Sequence, residues 1–167
     1  MLHIRPAKLE DAAEVMKITR VAFKVYQQAL RSDAPLSALT ETIDDVCADI
    51  RDHSVYLAEE DGLVLGSIRV ERLSADLAYI YRFSVNPEEN NSGIGSQLLA
   101  RALDDCSKRG YSVVALHTNS KYFKLARYYY GKEFYVHSTT TGRGYIRALF
   151  VKELRDTEVD LTPAFKK

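Results

Sequence analysis

The chain is short of cysteine, proline and glycine, carries no surplus of either charge, and contains no long apolar run. Its 2 cysteines, Cys47 and Cys106, are too few for a disulfide framework or a cysteine-based metal cluster. Both fall at apolar positions of expected helices, where a thiol serves as a small core filler. With only 4 prolines and 8 glycines, the chain has no linker, internal repeat or low-complexity tract. Lys plus Arg and Asp plus Glu each number 23, so the basic surplus of a nucleic-acid binder is missing. No apolar run approaches the roughly 18 residues that span a bilayer, and the stretch from Met1 to Pro6 turns polar too soon for a signal peptide. These absences argue against nucleic-acid and membrane partners and leave the cytoplasm as the expected address. No His/Cys/Asp cluster has metal-ligand spacing, so no metal is expected.

What remains is ordinary globular material: 46% hydrophobic and 28% charged residues in 167 positions. That length suits one domain with a sizeable core. It is expected to cover residues 1–154, with a polar tail, 155–167, that frays. A short strand at 2–6 precedes a helix whose apolar stripe runs Val15, Ile18, Ala22, Val25, Ala29. Ser32-Asp33-Ala34-Pro35 breaks it. A second helix places Ile43, Val46, Cys47 and Ile50 on one face and ends near Asp52. From Ser54 the pattern becomes that of strands: 55–58, a Glu60-Asp61-Gly62 turn, then 63–70. In the next strand, 77–85, Tyr79, Tyr81, Phe83 and Val85 are expected on one face and Ile80, Arg82 and Ser84 on the other. A glycine-bearing segment, a helix with Leu98, Leu99, Ala102, Leu103 and Cys106 inward, a strand at 113–118, a Tyr-rich helix at 121–130 and a hairpin of 134–140 with 145–154 complete the order. The fold class is α/β, a mixed sheet flanked by helices.

The chemistry concentrates in Phe83-Ser84-Val85-Asn86-Pro87-Glu88-Glu89-Asn90-Asn91-Ser92-Gly93-Ile94-Gly95-Ser96. A strand ends, a loop crosses, and two glycines open a helix. A helix's first turn leaves backbone N–H groups without partners and carries partial positive charge. Gly93 and Gly95 remove the side chains that would hold a diphosphate away from those groups. A plain capped helix start would read similarly, but two glycines in the first turn cost about 1 kcal/mol each against alanine. A Walker loop is excluded because no Gly-Lys-Ser/Thr follows, and a dinucleotide fingerprint because position 98 is Leu98, not glycine.

Val85-Asn86-Pro87 followed by Asn90-Asn91-Ser92-Gly93-Ile94-Gly95 resembles the coenzyme A signature of the GNAT N-acetyltransferase superfamily, with Asn90 where Gln or Arg is usual. Arg5-Pro6 before an acidic helix, Glu59-Glu60-Asp61-Gly62 before Val64-Leu65-Gly66, and the element order extend the resemblance over almost the whole chain. It implies a sheet of about seven strands with four helices, splayed between its fourth and fifth strands. It also implies acetyl-coenzyme A as acyl donor and the primary amine of a small molecule or peptide as acceptor. The resemblance assigns the pantetheine arm to Phe83, Ser84 and Val85, and the pyrophosphate to the backbone of Asn90, Asn91, Ser92, Gly93, Ile94, Gly95 and Ser96. Asn119 is either a further coenzyme contact or a turn residue.

The superfamily's Tyr-x-x-x-Gly-Phe pattern puts Tyr129 in the position of the acid that protonates the departing thiolate, with Glu133 where glycine is usual. Tyr128 and Tyr130 stay open as alternative registers. Many relatives carry a strand glutamate near position 79 as base; here Tyr79 and Tyr81 stand there, and a phenol near its ordinary pKa of ~10 is a poor base. A water relayed through Tyr79, Tyr81 or backbone carbonyls fits better, with His117 and His137 read as core residues. Phe23, Tyr26 and Tyr145 are candidates for the acceptor wall, Phe23 more as packing, and Asp33, Asp44, Asp45 and Glu71 for attracting a cationic amine. Two rivals stay open, a coenzyme-binding sensor without turnover and a domain that has lost the ligand. Exposed sheet edges would also allow a homodimer.

Overall fold

A computed structural model describes residues 1–31 and 33–167; the Ser32 part of the expected helix break lies outside the described residues. The elements run β1 (His3–Pro6), α1 (Ala12–Leu30), α2 (Ile43–Asp52), β2 (Ser54–Glu60), β3 (Leu63–Arg72), β4 (Leu77–Val85), α3 (Ile94–Lys108), β5 (Val113–Asn119), α4 (Phe123–Gly131), β6 (Tyr135–Thr140), β7 (Arg147–Glu153) and α5 (Thr162–Phe165). Local chemistry sets several of these limits. Thr42 caps α2 by accepting from the Asp45 N–H at 3.2 Å, while the Asp45 carboxylate accepts from the Thr42 N–H at 2.8 Å. Asp61 and Gly62 both take positive φ, 50° and 80°, the twist that a tight hairpin between β2 and β3 demands. Among the described residues, no helix is long and apolar enough to cross a membrane.

The strands form one mixed sheet of 7, in the order β1-β2-β3-β4-β5-β7-β6. Among the described residues, only β4 and β5 run parallel, and they pair solely from Leu77 opposite Val113 to Tyr79 opposite Ala115. Beyond that point β4 stays on β3 and β5 stays on β7, so the sheet opens into a V. Against one face pack α3 and α4, with Leu98, Leu99, Ala102, Cys106, Tyr129 and Phe134 in the main core. Gly66 of β3 is where α3 presses closest: a Cβ there would sit 2.8 Å from Leu98 Cδ1 and 3.0 Å from the Ser84 carbonyl oxygen. On the other face, α1 and α2 bury Val15 and Val46 against Val55 and Leu57.

Three expectations fail here, each for a stated reason. β4 does not keep one face from Tyr79 to Val85. Its register against β3 slips between Ser67 and Arg69, and Arg82 takes φ 50°, so β4 carries one surplus residue. A bulge of one residue moves every later side chain to the opposite face. Tyr79 and Tyr81 therefore pack with Leu77 and Leu149, whereas Phe83 and Val85 join Ala78 and Ile80 on the α3 side. The α1 stripe is buried only through Thr19; Val25 and Ala29 are exposed, and Ala22, Val25 and Tyr26 face a cavity instead of the core. The tail does not fray: Val159 and Leu161 pack beneath β4, β5 and β7, and Ala164 is fully buried.

The α1–α2 face also hides a knot of charge. Arg69 of β3, 0% exposed, donates to both Glu41 carboxylate oxygens at 2.9 and 2.8 Å, to Asp49 at 2.8 Å and to Thr19 Oγ1 at 3.2 Å. Arg82 reaches the same Glu41 at 3.3 Å. This knot ties α1, the approach to α2, and α2 itself to the middle of the sheet, beside the opening of the V.

Candidate active site

The start of α3 is built as an open cradle. Asn91 and Gly93 both sit at positive φ, 71° and 85°, and this sharp loop turns the following N–H groups outward. Among the described residues, nothing accepts from the backbone N–H of Asn91, Gly93, Gly95 or Ser96. A Cβ on Gly93 would meet nothing within 4 Å, and one on Gly95 would lie 3.4 Å from Val85 Cγ2 and 3.7 Å from Phe83 Cζ. Unpaired amides at a helix N-terminus beside empty space suit an anionic group.

A cavity of about 1190 Å³ runs from this cradle through the V to the α1 side of the sheet. Of the residues expected to hold coenzyme, Phe83, Val85, Asn90, Asn91, Gly93, Gly95 and Ser96 line it. The other side chains are occupied elsewhere. Ile94 is core, the Ser84 hydroxyl donates to the Arg82 carbonyl at 3.1 Å, and the Ser92 hydroxyl donates to the Glu89 carbonyl at 2.6 Å. Asn119 follows the turn reading: its Oδ1 accepts from the Lys121 N–H at 2.8 Å, and its own N–H donates to the Tyr26 hydroxyl at 2.9 Å.

The tyrosine register narrows to two. Tyr130 is 54% exposed and outside the cavity, while Tyr128 and Tyr129 both line it. Tyr129 is wedged among Phe134, Phe150 and Tyr128, with ring centroids at 5.7, 5.5 and 5.3 Å. Burial, then the neighbouring Tyr128 and Tyr26, push its phenol well above the ordinary range. The Tyr128 hydroxyl is buried with no hydrogen-bond partner. Glu133, which stands in place of a glycine, takes φ 64° just past α4, the backbone state a glycine would adopt more readily.

At the far end stand Phe23, Tyr26, Tyr79, Tyr81 and Tyr145, so Phe23 serves as wall as well as packing. Tyr26 anchors α1 to β5, its hydroxyl also meeting Thr118 Oγ1 at 3.3 Å. Tyr79 and His117 are joined at 2.6 Å. Burial pushes the Tyr79 phenol up to about 12, so its O–H donates and His117 Nδ1 accepts. Burial, then Arg147 and Arg143, drive His117 down to about 3. Tyr81 is raised further, by burial and then Asp49. His137 is exposed beside Phe165 and takes no part. Asp33 and Asp44 do not line the cavity; Asp45 and Glu71 do. Sequence reasoning missed Arg143, Arg147 and Lys167, which also line it. They come from the β6–β7 loop, the start of β7 and the tail, and no local motif marks them.

The depressed His117 pKa carries a stability signature. The unfolded histidine takes up a proton near pH 6.5, whereas the folded one stays neutral down to about 3. Its contribution is present above pH 6.5 and is lost as pH falls through that window. His117→Gln is expected to flatten the fall in melting temperature between pH 6.5 and about 3. An unchanged slope in thermal melts across that range would refute the assignment.

The sequence profile of the Acetyltransferase (GNAT) family matches residues 16–132. The chain belongs to the GNAT acetyltransferase family. Among curated proteins, this GNAT chain is 27% identical over 161 residues to the S-(2-succino)cysteine N-acetyltransferase of Bacillus subtilis (strain 168), covering 90% of this chain and 95% of that protein. It is 29% identical over 101 residues to the S-alkylcysteine N-acetyltransferase of the same organism, covering 57% of this chain and 55% of that protein. Among solved structures, the PaiA N-acetyltransferase of Thermoplasma acidophilum in complex with coenzyme A superposes with TM-score 0.79 at 19% identity, over 92% of this chain and 99% of that one. YncA of Salmonella typhimurium with acetyl-coenzyme A gives 0.77 at 20%, over 96% and 98%. At such identities the likeness to the solved structures concerns the fold alone.

Proposed function

We propose that this GNAT acyltransferase moves an acetyl group from acetyl-coenzyme A to the primary amine of a small molecule or peptide, with both substrates held together in the cavity. The observation that carries this reading is the continuity of that cavity: it joins a cradle of unpaired N–H groups to an aromatic chamber across the one place where the sheet is open. The names of both curated relatives, which acetylate substituted cysteines, favour a small amine.

The residues present fit the coenzyme. Asn91, Gly93, Gly95 and Ser96 offer backbone N–H groups to the pyrophosphate, with Asn90 at the rim, and the space beside Gly93 is open. The free edge of β4 at Phe83, Ser84 and Val85 suits the pantetheine arm as an added strand. When bound, acetyl-coenzyme A supplies a thioester carbonyl and a thiol leaving group. The bulge in β4 leaves a residue without a ladder partner, so its N–H is available to negative charge building on the carbonyl oxygen. Tyr129, kept protonated by burial, donates toward the departing sulfur. Tyr26, Tyr79 and Tyr81 shape the space for the acceptor, and a water between Tyr79 and Tyr81 carries the amine's proton away.

Gly95→Val tests the cradle. The added methyls project among Val85, Phe83 and the bared N–H groups, so coenzyme A affinity should fall by roughly 10- to 100-fold, the size of a few lost charge-assisted hydrogen bonds. Calorimetric binding as tight as wild type would mean that the pyrophosphate lies elsewhere.

A second reading, a coenzyme sensor without turnover, draws on one observation: the carboxylates at the acceptor end are all engaged by other groups. Glu41 and Asp49 hold Arg69, Glu71 pairs with Lys167, and Asp45 caps α2. Thiol release measured over polyamines, amino acids, aminoglycosides and peptide N-termini decides between the two. Release with any of these supports the transferase; saturable coenzyme binding with none supports the sensor.

A further inference from the structure

Tyr79 and Ala115 are the last residues at which β4 and β5 pair. His117 follows Ala115 by one pleat, and the register of β5 against β7 is unbroken from Val113 to Asn119. Side chains alternate along an unbroken strand. His117 therefore shares the face of Val113 and Ala115, which also carries Leu77 and Tyr79, whereas Val114 and Leu116 turn toward α3. The 2.6 Å bond between the Tyr79 hydroxyl and His117 Nδ1 thus spans the V where it begins to open, on the side of the acceptor chamber. That bond uses one ring nitrogen. Among the described residues, Nε2 has no hydrogen-bond partner, yet it is not one of the polar atoms buried without a partner. The half-buried ring lines the cavity, so Nε2 is open to what the cavity holds.

The same bond fixes the ring proton. A neutral imidazole carries one N–H, and the nitrogen that accepts is the one without it. With the Tyr79 O–H directed at Nδ1, the His117 proton sits on Nε2. Burial, then Arg147 and Arg143, keep the ring neutral, so it presents an uncharged donor and not a base.

We infer that the Nε2–H of His117, set by Tyr79, holds an oxygen of the acceptor, and that the acceptor is an amine with a carbonyl group on the neighbouring carbon rather than a plain alkylamine or a polyamine. This rests on the transferase reading of the cavity. The face decides which substrate the donor meets: Phe83 and Val85, expected to hold the coenzyme, lie on the α3 side, and His117 does not. The amine has to stand at the mouth of the V to reach a thioester drawn into it. A donor one pleat beyond the last β4–β5 pair reaches only atoms close to that nitrogen. A carbonyl or carboxylate oxygen there accepts from Nε2–H, whereas a chain of methylenes leaves the donor unpaired, which is costly once water is displaced. Tyr79 acts through the ring as a positioning residue, since without its hydroxyl the proton is free to move to Nδ1.

The test reads binding and the ring proton, so that it does not depend on turnover. Phenylalanine, phenylalaninamide and phenethylamine, which differ only at the carbon beside the amine, are titrated calorimetrically into the protein with coenzyme A present. Wild type is expected to bind the acid or the amide about 3- to 10-fold more tightly than phenethylamine, the net worth of one hydrogen bond. The stronger of the two tells whether a carboxylate or an amide carbonyl is held. His117→Leu should erase the preference, and His117→Gln, whose side-chain amide places an N–H near the position of Nε2, should restore part of it. Nitrogen NMR of isotopically labelled histidine should show the Nε2–H tautomer at His117 in wild type and a mixture in Tyr79→Phe, with a weaker preference in that variant. These two readouts keep the test alive if His117→Leu folds poorly in a thermal melt. The Nδ1–H tautomer in wild type, binding of none of the three compounds, equal binding of all three, or a preference that survives His117→Leu would overturn the inference. Absence of thiol release despite selective binding would instead count against the transferase reading alone.

Discussion

Tyr129→Phe is expected to lower turnover by about 10²- to 10⁴-fold, the range contributed by a positioned general acid, while coenzyme A affinity stays close to wild type. The reasoning starts from placement. Tyr129 is packed among Phe134, Phe150 and Tyr128, yet it lines the cavity and stands electrostatically between Tyr128 and Tyr26. Tyr26 is bonded to the end of β5, which puts Tyr129 on the side of the V where the proposed reaction places the thioester. Burial holds the phenol protonated far above neutral pH, which makes it a standing donor and a poor base. In the proposed reaction it supports negative charge on sulfur as that charge appears, and the proton released by the amine restores balance. Removing one hydroxyl leaves the ring stack in place, so the fold and the cradle should be unaffected. Tyr128→Phe is the control, since its buried hydroxyl has no partner and its loss is close to neutral for stability. Rapid-mixing and steady-state kinetics on both variants separate the roles. If Tyr128→Phe loses turnover and Tyr129→Phe does not, the acid is one residue earlier. If neither does, protonation comes from solvent.

The second large effect is on stability. Arg69→Ala is expected to cost about 3–5 kcal/mol, the usual penalty for removing one partner of a buried ion pair. Glu41, 7% exposed, would lose its bidentate contact, and Asp49 and Thr19 would each lose a hydrogen bond. For a domain of this size that corresponds to roughly 6–20 °C in melting temperature. The penalty belongs to the stranded Glu41 more than to the missing arginine, because the Coulombic gain of such a pair is largely cancelled by desolvation. Arg69→Met combined with Glu41→Leu should therefore recover part of the loss. A double variant as unstable as the single one, in thermal melts at neutral pH, would show that the knot contributes through its contacts and not through its charge balance.

Much of the fold could be read directly, because the signals that set it are local. Gly93 and Gly95 follow a strand and open a helix. Asp61-Gly62 can hardly be anything but a hairpin turn. Val113 to Thr118 is apolar enough to be an inner strand. The family resemblance then supplied the splay, and the pairing of β4 with β5 over one short stretch bears it out. What escaped was long-range. The bulge at Arg82 leaves no mark on a strand whose residues alternate cleanly. The Arg69 knot joins positions 20 to 50 residues apart, and nothing near Arg69 announces its partners. Lys167 and Ala164 read as polar or small tail residues, whereas they close the floor under β4 and β7.

In the candidate site, the cradle was legible because it is one continuous segment. The acceptor end was not, because it is assembled from α1, α2, β4, β5, the β6–β7 loop and the tail. Tyr26, Tyr79 and Tyr81 were found as aromatic side chains on well-defined elements. Arg143 and Arg147 were passed over because nothing near them in the sequence says that the β6–β7 loop and the start of β7 turn toward the cavity. The three consecutive tyrosines show the limit in miniature: helical periodicity places them 100° apart, and only the packing of α4 says which one turns outward.

The surplus residue in β4 matters to anyone redesigning this enzyme. Counting odd and even positions from Tyr79 would nominate Phe83 and Val85 as companions of Tyr81 for reshaping acceptor preference. Past Arg82 that arithmetic points the wrong way: those two side chains line the cavity from the other face and pack beneath α3. A library diversified on the even–odd rule would spend half its variants on foldability while believing it sampled selectivity.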